Sequence, residues 1–589
     1  MSILIFIVAS LCVSVRTDKP AKGDCTHDNL FIKRSFCFLF TTSILLFCTG
    51  CTSGDSGSKS SASCEYKSRL FSTDKVHTID VTLSESDWED LISHPMDKRK
   101  YPADVIIDGE IFRSVSFATK GNSSLAAVAA NPDSFRYSYK INFGKIVREQ
   151  TYYGLNKLHL NNLFGDATHM KDYISYGLFR RIGVSAPLIS YVWLTVNETP
   201  VGLYIAVEDI SESFLARTLH NEGVLYKPEA DLTDNAAIQL QILQGNAGES
   251  SAEMMPGGTS LESSLPPGTP PGSDLENFPA SGEPIPPLEP VDSGTSSFSY
   301  KGADLIYIDD EIDSYPDIFE HDQTTASEED CRRVIAALKG FHDRKNPNEY
   351  LDTEEIPRYF AAHNFVLNGD SYTGIVPTNY CLYEKNGKLA MLPWDYNLAF
   401  GGFPQGSPLG GPGGISGAAP GEIPETVSNG SITGLPGETT GEIPPEAISM
   451  LINTGIYTPL TGIQDLKRPM WVWILSSKFF LDQYRNALHT LVSGYFESGE
   501  FEKEADQLYN LILPYIEKDP TSFYTAEEFT RGFEVFKYFC LLRAKSIRLQ
   551  LDGKLATDTF SQRNEDRVDT SGIDMAAMGT PLHDTPSAN

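Results

Sequence analysis

From Val76 to Leu83 the chain alternates apolar and polar positions, the period-two pattern of a half-buried strand. Ser84 follows, three residues ahead of Asp87 and just before Trp88 and Leu91, which predicts a helix with a side-chain cap at its start. Residues 105–107, 112–119 and 138–143 predict further strands, so the front of the domain reads as a strand-rich lobe with one or more helices laid on it. Asp166 caps a helix whose apolar positions Met170, Tyr173, Ile174 and Leu178 recur at helical spacing until Gly183 ends it. Residues 189–196 and 201–207 flank the turn Asn197-Glu198-Thr199-Pro200 and predict a hairpin.

Two stretches interrupt the patterning. Residues 248–297 and 401–444 are loaded with Gly, Pro, Ser and Glu and lack hydrophobic periodicity, so they are expected to be disordered insertions. From residue 467 the apolar spacing becomes helical, in 470–475, 479–491, 505–516 and 533–551, and predicts a helical back lobe. The expected plan is α+β: a signal region over 1–51, a flexible tether over 52–74, one large domain over 75–552, and a polar, frayed tail over 553–589.

The amino terminus reads as an address. Two apolar runs, 3–15 and 36–47, are shorter than the roughly 20 residues of a spanning helix. The second follows Lys33 and Arg34 and ends in Leu46-Phe47-Cys48-Thr49-Gly50-Cys51, which resembles a bacterial lipobox with lipid attached at Cys51. That places the body on the extracytoplasmic face of a bacterial membrane, as does the alternative of an uncleaved signal anchor. Cys48 stands where Leu, Val or Ile is usual, and the upstream extension of about 30 residues points to a misplaced start codon.

Net charge of −31, from 78 acidic and 47 basic residues, argues against nucleic acid as a partner. Cys331, Cys381 and Cys540 in the body have neither zinc spacing nor the pattern of a disulfide framework. Serine hydrolase, HExxH protease and P-loop readings each lack their motif, and His169 and His363 are expected to be packed rather than catalytic.

Chemistry concentrates between residues 368 and 401. A helix over about 354–366 leads to Asn368-Gly369-Asp370, and strands over 379–384 and 388–393 turn at Asn386-Gly387 before Trp394-Asp395. Asp370, Asn379 and Asp395 thus lie at or near the ends of one hairpin, and their oxygens are the hard donors that Mg2+ or Mn2+ takes. The order Asp, Asn, Asp is that of a protein-kinase catalytic loop and metal-binding segment, although Asn379 lies 9 positions after Asp370 rather than about five. Read alone, the three also suit ordinary turn and cap positions.

Together with these residues, Lys120-Gly121-Asn122-Ser123-Ser124, Ser138-Tyr139-Lys140-Ile141-Asn142-Phe143, Asn161-Asn162 with Asp166, Val201-Gly202-Leu203-Tyr204, Leu225-Tyr226-Lys227 and Pro393-Trp394-Asp395 resemble, in that order, the spore coat CotH kinase family. The resemblance implies an atypical protein-kinase-like fold of two lobes clamping ATP, and transfer of phosphate to Ser or Thr of a protein substrate. It implies Asp370 as catalytic base, Asn379 and Asp395 as metal ligands, and Lys140 as the lysine on the nucleotide phosphates, with Lys120 competing for that role. Asp172 is the implied carboxylate partner of that lysine, although a longer Glu is usual there. Gly121, Asn122, Ser123 and Ser124 are implied to cradle phosphate, and Glu208 to sit near the adenine or to serve as an ion-pair partner. A kinase-derived scaffold without catalysis and a kinase of a cell-wall small molecule are the other functions considered.

Overall fold

The computed structural model describes residues 64–131, 134–230, 300–321, 323–343, 345–374, 376–402, 444–459 and 468–579. Cys51 and the rest of the expected signal region, the whole of the first expected insertion and nearly all of the second lie outside these residues. No helix among the described residues is long and apolar enough to cross a membrane.

Among the described residues ten strands are formed: β1 (His77–Thr82), β2 (Tyr101–Ile107), β3 (Glu110–Lys120), β4 (Ser138–Asn142), β5 (Lys157–Asn161), β6 (Ile189–Val196), β7 (Thr199–Glu208), β8 (Val224–Tyr226), β9 (Tyr380–Lys385) and β10 (Lys388–Pro393). The helices that matter below are α1 (Glu85–Ser93), α2 (Ser123–Ala129), α3 (Lys171–Arg181), α4 (Glu212–Thr218), α5 (Glu328–His342), α6 (Glu355–Val366), α7 (Pro445–Ile452), α8 (Pro469–Ser476), α9 (Lys478–Leu491), α10 (Glu500–Ile516) and α11 (Ala526–Leu551).

The strand-rich front is a closed barrel, which the strand pattern alone did not predict. Its order is β1-β2-β3-β4-β5-β7-β6, and β6 closes it by pairing parallel to β1, from His77 against Val192 to Val81 against Val196. Closure satisfies the backbone groups that an open sheet would leave at two edges. The interior is filled: Phe117 stacks on Tyr139 with ring centroids 4.8 Å apart, and Tyr139 stacks on Tyr204 at 6.1 Å, among buried Val105, Ile141, Leu158 and Leu160. Because side chains alternate across a strand, these inward residues send Lys120, Lys140, His159 and Asn161 to the outer wall. The β3-β4-β5 register sets them side by side there, with Lys140 against Ala118 and His159, and Lys120 against Ser138.

Helices and a second, three-stranded sheet of order β10-β9-β8 form the rest. The β9-β10 hairpin turns at Asn386 (φ +53°) and Gly387 (φ +81°), the two successive left-handed positions of a tight hairpin turn. At the end of α6 the buried Arg543 donates to the carbonyls of Asn364 (2.9 Å) and Phe365 (3.4 Å), and Phe400 N–H donates to that of Val366 (2.5 Å). These bonds satisfy the last turn of the helix and let the chain leave α6 at Leu367 towards Asp370. Between barrel and helices, Arg136 and Asp519 form an ion pair at 3.0 Å with side chains 1% and 0% exposed.

Three expectations shift at their edges. Tyr66, Leu70 and Phe71 are buried, so the chain is packed from residue 64 rather than tethered up to 74. Residues 553–579 do not fray: Val568, Ile573, Met575 and Met578 are buried apolar anchors, and Ala167 N–H donates to the Met578 carbonyl at 3.2 Å. Asp166 acts one turn before α3, accepting from Thr168 N and Lys171 N at 3.0 Å each, and His169 precedes the helix instead of lying on it.

Glu355, the first residue of α6, is buried and accepts from Ser185 N at 3.0 Å; burial, with Asp352 nearby and only partial relief from Arg358, pushes its carboxyl up to about 7. A carboxyl whose folded pKa exceeds its unfolded one loses stability as pH rises between the two. We expect the melting temperature to fall from about pH 5 to pH 8 and the Glu355→Gln variant to lose part of that fall; parallel melting curves for the two proteins would remove Glu355 from the account.

Candidate functional site

Asp370 follows the α6 exit and stands half-buried in a tight loop. Asn379 holds it, donating from Nδ2 to the Asp370 carbonyl and to its Oδ2, both at 2.9 Å. Asn368 links this loop to the one after β10: its Oδ1 accepts from Asp370 N (3.2 Å) and its Nδ2 donates to the Asp395 carbonyl (3.4 Å). Asp395 N–H donates to the Tyr176 hydroxyl of α3 at 3.0 Å, and the next residue, Tyr396, meets buried His363 through its hydroxyl at 2.8 Å. Leu367, Asn379 and Asp395 all have φ between +52° and +55°, a left-handed conformation uncommon for residues other than glycine. Arg468, buried, donates to the Tyr372 and Gly374 carbonyls and so braces the loop that carries Asp370.

The barrel supplies the opposite wall. Lys120 Nζ donates to Asn161 Oδ1 at 2.6 Å, and Asn161 Nδ2 donates to Asp172 Oδ2 at 3.3 Å. Lysine and aspartate are therefore bridged by one amide. Asp172 Oδ1 also accepts from Tyr396 N at 2.9 Å, tying α3 to the loop of Asp395.

Electrostatics join the two walls. Burial, then the charge of Asp395, pushes the Asp370 carboxyl up to about 7, and the same two causes raise Asp172 to about 7. Burial pushes the Lys120 ammonium down, against the pull of Asp395 and Asp172. Carboxylates that resist charging beside one another, with hard oxygen donors, fit a divalent cation. Among the described residues no three His, Cys, Asp or Glu side chains are placed to hold an ion by themselves, so such an ion would share Asp395 and Asn379 with a ligand's own oxygens.

The remaining sequence-predicted residues fall as follows. Lys140, the first choice for the phosphate lysine, is paired with Asp209 Oδ2 at 2.8 Å, and His159 Nε2 lies 2.6 Å from the same oxygen. Lys120 is the lysine placed beside Asp172 and Asp395. The Glu208 carboxylate is saturated by Tyr66 (2.5 Å), Arg217 (2.6 and 3.0 Å) and Leu188 N (3.0 Å), which makes it an ion-pair partner and leaves no oxygen for an adenine. Gly121 follows β3, Asn122 accepts from Lys98 Nζ at 2.6 Å, and Ser123 and Ser124 open α2. His363 and His169 are buried and held near 3 by burial, neutral packing groups in the helical half. Sequence reading gave no role to Asn161, Lys227, Asn368, Tyr176 or Arg468; the first three stand inside motifs already noted, whereas Tyr176 and Arg468 have only a position in the fold.

Fold and site define a mixed α+β protein in which a barrel wall and a helical half bring lysine, asparagine and aspartate side chains together around Asp395. The CotH kinase protein family model matches residues 117–265 and 291–547, more than half of the chain, and the chain belongs to that family. Inner spore coat protein H of Bacillus subtilis (strain 168) is 24% identical over 318 residues, covering 53% of this chain and 68% of that protein. An inner spore coat protein H-like protein of the same strain is 30% identical over 93 residues, 16% of this chain and 29% of that protein.

Proposed function

We propose that this protein is an atypical protein Ser/Thr kinase that moves the terminal phosphate of ATP with Mg2+ or Mn2+, on a kinase-like fold whose barrel and helical half act as the two lobes. The observation that carries the reading is Asp370: a half-buried carboxyl, held at 2.9 Å by Asn379, raised to about 7 and linked through Asn368 to the loop of Asp395. A carboxylate with that affinity for protons is suited to accept one from an acceptor hydroxyl near neutral pH. Asn379 and Asp395 would hold the metal, which supplies neutralisation of phosphate charge. Lys120, steadied by Asn161, would hold nucleotide phosphates from the barrel side. Rigid anchoring of both loops supports catalysis by positioning, the main resource in phosphoryl transfer.

We further propose a lipid anchor at Cys51 and a bacterial surface setting; the coat-protein name carried by the two relatives supports the setting. The test is incorporation of labelled phosphate into the protein itself and into Ser/Thr-containing protein substrates, with Mg2+ or Mn2+. Incorporation on Ser or Thr is expected; its absence together with absence of nucleotide binding would leave a non-catalytic scaffold as the better account.

A further inference from the structure

Four lysines come from separate elements on this side of the molecule: Lys98 from the loop after α1, Lys120 from the end of β3, Lys140 from β4 and Lys227 from just past β8, and Asp395 acts on the charges of Lys120 and Lys227. Two are matched by carboxylates, Lys140 by Asp209 and Lys227 by Glu229. The other two are held by neutral amide oxygens, Lys98 by Asn122 and Lys120 by Asn161, each at 2.6 Å, and neither makes an ion pair within the described residues. An ammonium bonded only to an amide has no carboxylate hydrogen bond to give up when an anion arrives.

Register places Lys227 at the same edge as the proposed metal ligands. Tyr226 of β8 lies against Leu382 of β9, so Lys227 continues alongside Cys381. On the other side β10 sets Leu392 against Cys381 and Pro393 against Tyr380, so Asn379, Lys227 and Asp395 emerge together. Backbone bonds fix the segment, Lys227 N to the His321 carbonyl and Glu229 N to that of Asp317, both at 3.0 Å. Lys98 stands on the barrel side: its Nζ donates to Asn122, two residues past Lys120 at the end of β3, and there the charges of Glu229 and Lys227 act on it.

Resting on the kinase reading, we propose that Lys98 and Lys227 form a second phosphate clamp, one lysine from the barrel and one from the three-stranded sheet, that grips the terminal phosphates of the nucleotide. Glu229 holds Lys227 in the absence of nucleotide and yields it when phosphate arrives. Lys120, deeper on the barrel wall, serves the phosphates nearer the nucleoside.

The experiment is equilibrium binding of AMP, ADP and ATP, each with Mg2+, to the full chain and to the Lys98→Met, Lys227→Met and Glu229→Gln variants. ATP affinity is expected to fall about tenfold in each lysine variant, with AMP affinity unchanged, as befits loss of one charged hydrogen bond. Glu229→Gln releases Lys227 and is expected to tighten ATP but not AMP, a gain that misfolding does not produce. An equal loss for all three nucleotides, or an ATP-over-AMP preference that survives in both lysine variants, overturns the clamp while leaving the kinase reading standing. Absence of binding of any nucleotide to the unaltered chain overturns both.

Discussion

Asp370→Asn is expected to lower phosphate incorporation by about 10²- to 10⁴-fold, the usual contribution of a positioned general base, while the protein stays folded. The amide has the shape of the carboxylate and still offers an oxygen to Asn379 Nδ2, so the loop has no reason to move. Stability is expected to hold or rise. Burial and the charge of Asp395 push the Asp370 carboxyl up to about 7, so charging it costs the native state as pH climbs from the unfolded carboxylate range through neutrality. The asparagine variant, in metal-free buffer, lacks that loss and should melt no lower than the parent at about pH 8. Incorporation kept within a few-fold of the parent would remove Asp370 from the chemistry, and a much lower melting temperature would make the activity loss uninformative.

Asp519→Ala is expected to destabilise the protein by about 3–5 kcal/mol, the cost of leaving a buried charge without its partner. Arg136 donates to both Asp519 oxygens at 3.0 Å, to Thr521 Oγ1 at 2.9 Å, and to the Asn162 and Leu203 carbonyls at 3.2 and 2.7 Å. Asp519 in turn accepts from Leu203 N at 2.8 Å and Thr521 N at 3.0 Å. The pair fastens strand β7 to the loop between α10 and α11, and Gly202 permits it, since a Cβ there would stand 2.1 Å from Asp519 Oδ1. Truncation strands the guanidinium and two backbone N–H groups at once. The Arg136→Met/Asp519→Leu double variant should lose less than Asp519→Ala, because apolar groups leave no charge unpaired. Urea denaturation measures both; a loss below about 1 kcal/mol for Asp519→Ala would mean that water reaches Arg136 and the two halves are held together elsewhere.

Much of the candidate site was legible because its signals are local. The order Asp370, Asn379, Asp395 is written in one stretch of chain, and the Asn386-Gly387 turn between alternating strands sets the hairpin on which two of them ride. The helix leading to Asp370 and the one carrying Asp172 follow from apolar spacing of a few residues. Lys120 and Lys140 were both visible as outward strand residues, but choosing between them was not a local question. The partner that occupies Lys140 is Asp209, on the far side of a strand crossing, while Asn161, which steadies Lys120, looks like any polar strand residue until β5 is set beside β4.

The sequence by itself determined most of the strands and the longer helices around the site, the turns of two hairpins, and which side chains carry acid, amide and ammonium chemistry, because each depends on periods of two to four residues and on turn residues with particular backbone freedom; the helix over Glu328–His342 and the strands β5 and β8 were not legible in it. Only the tertiary structure decided that seven strands close into a barrel, since parallel pairing of β1 with β6 joins residues more than a hundred positions apart and leaves no mark in either strand's own pattern. It also decided that Glu208 is consumed by Tyr66 and Arg217, that residues 553–579 fold back onto α11, and that Asp370 and Asp172 resist ionisation, because burial and the nearness of other charges exist only once distant segments have come together.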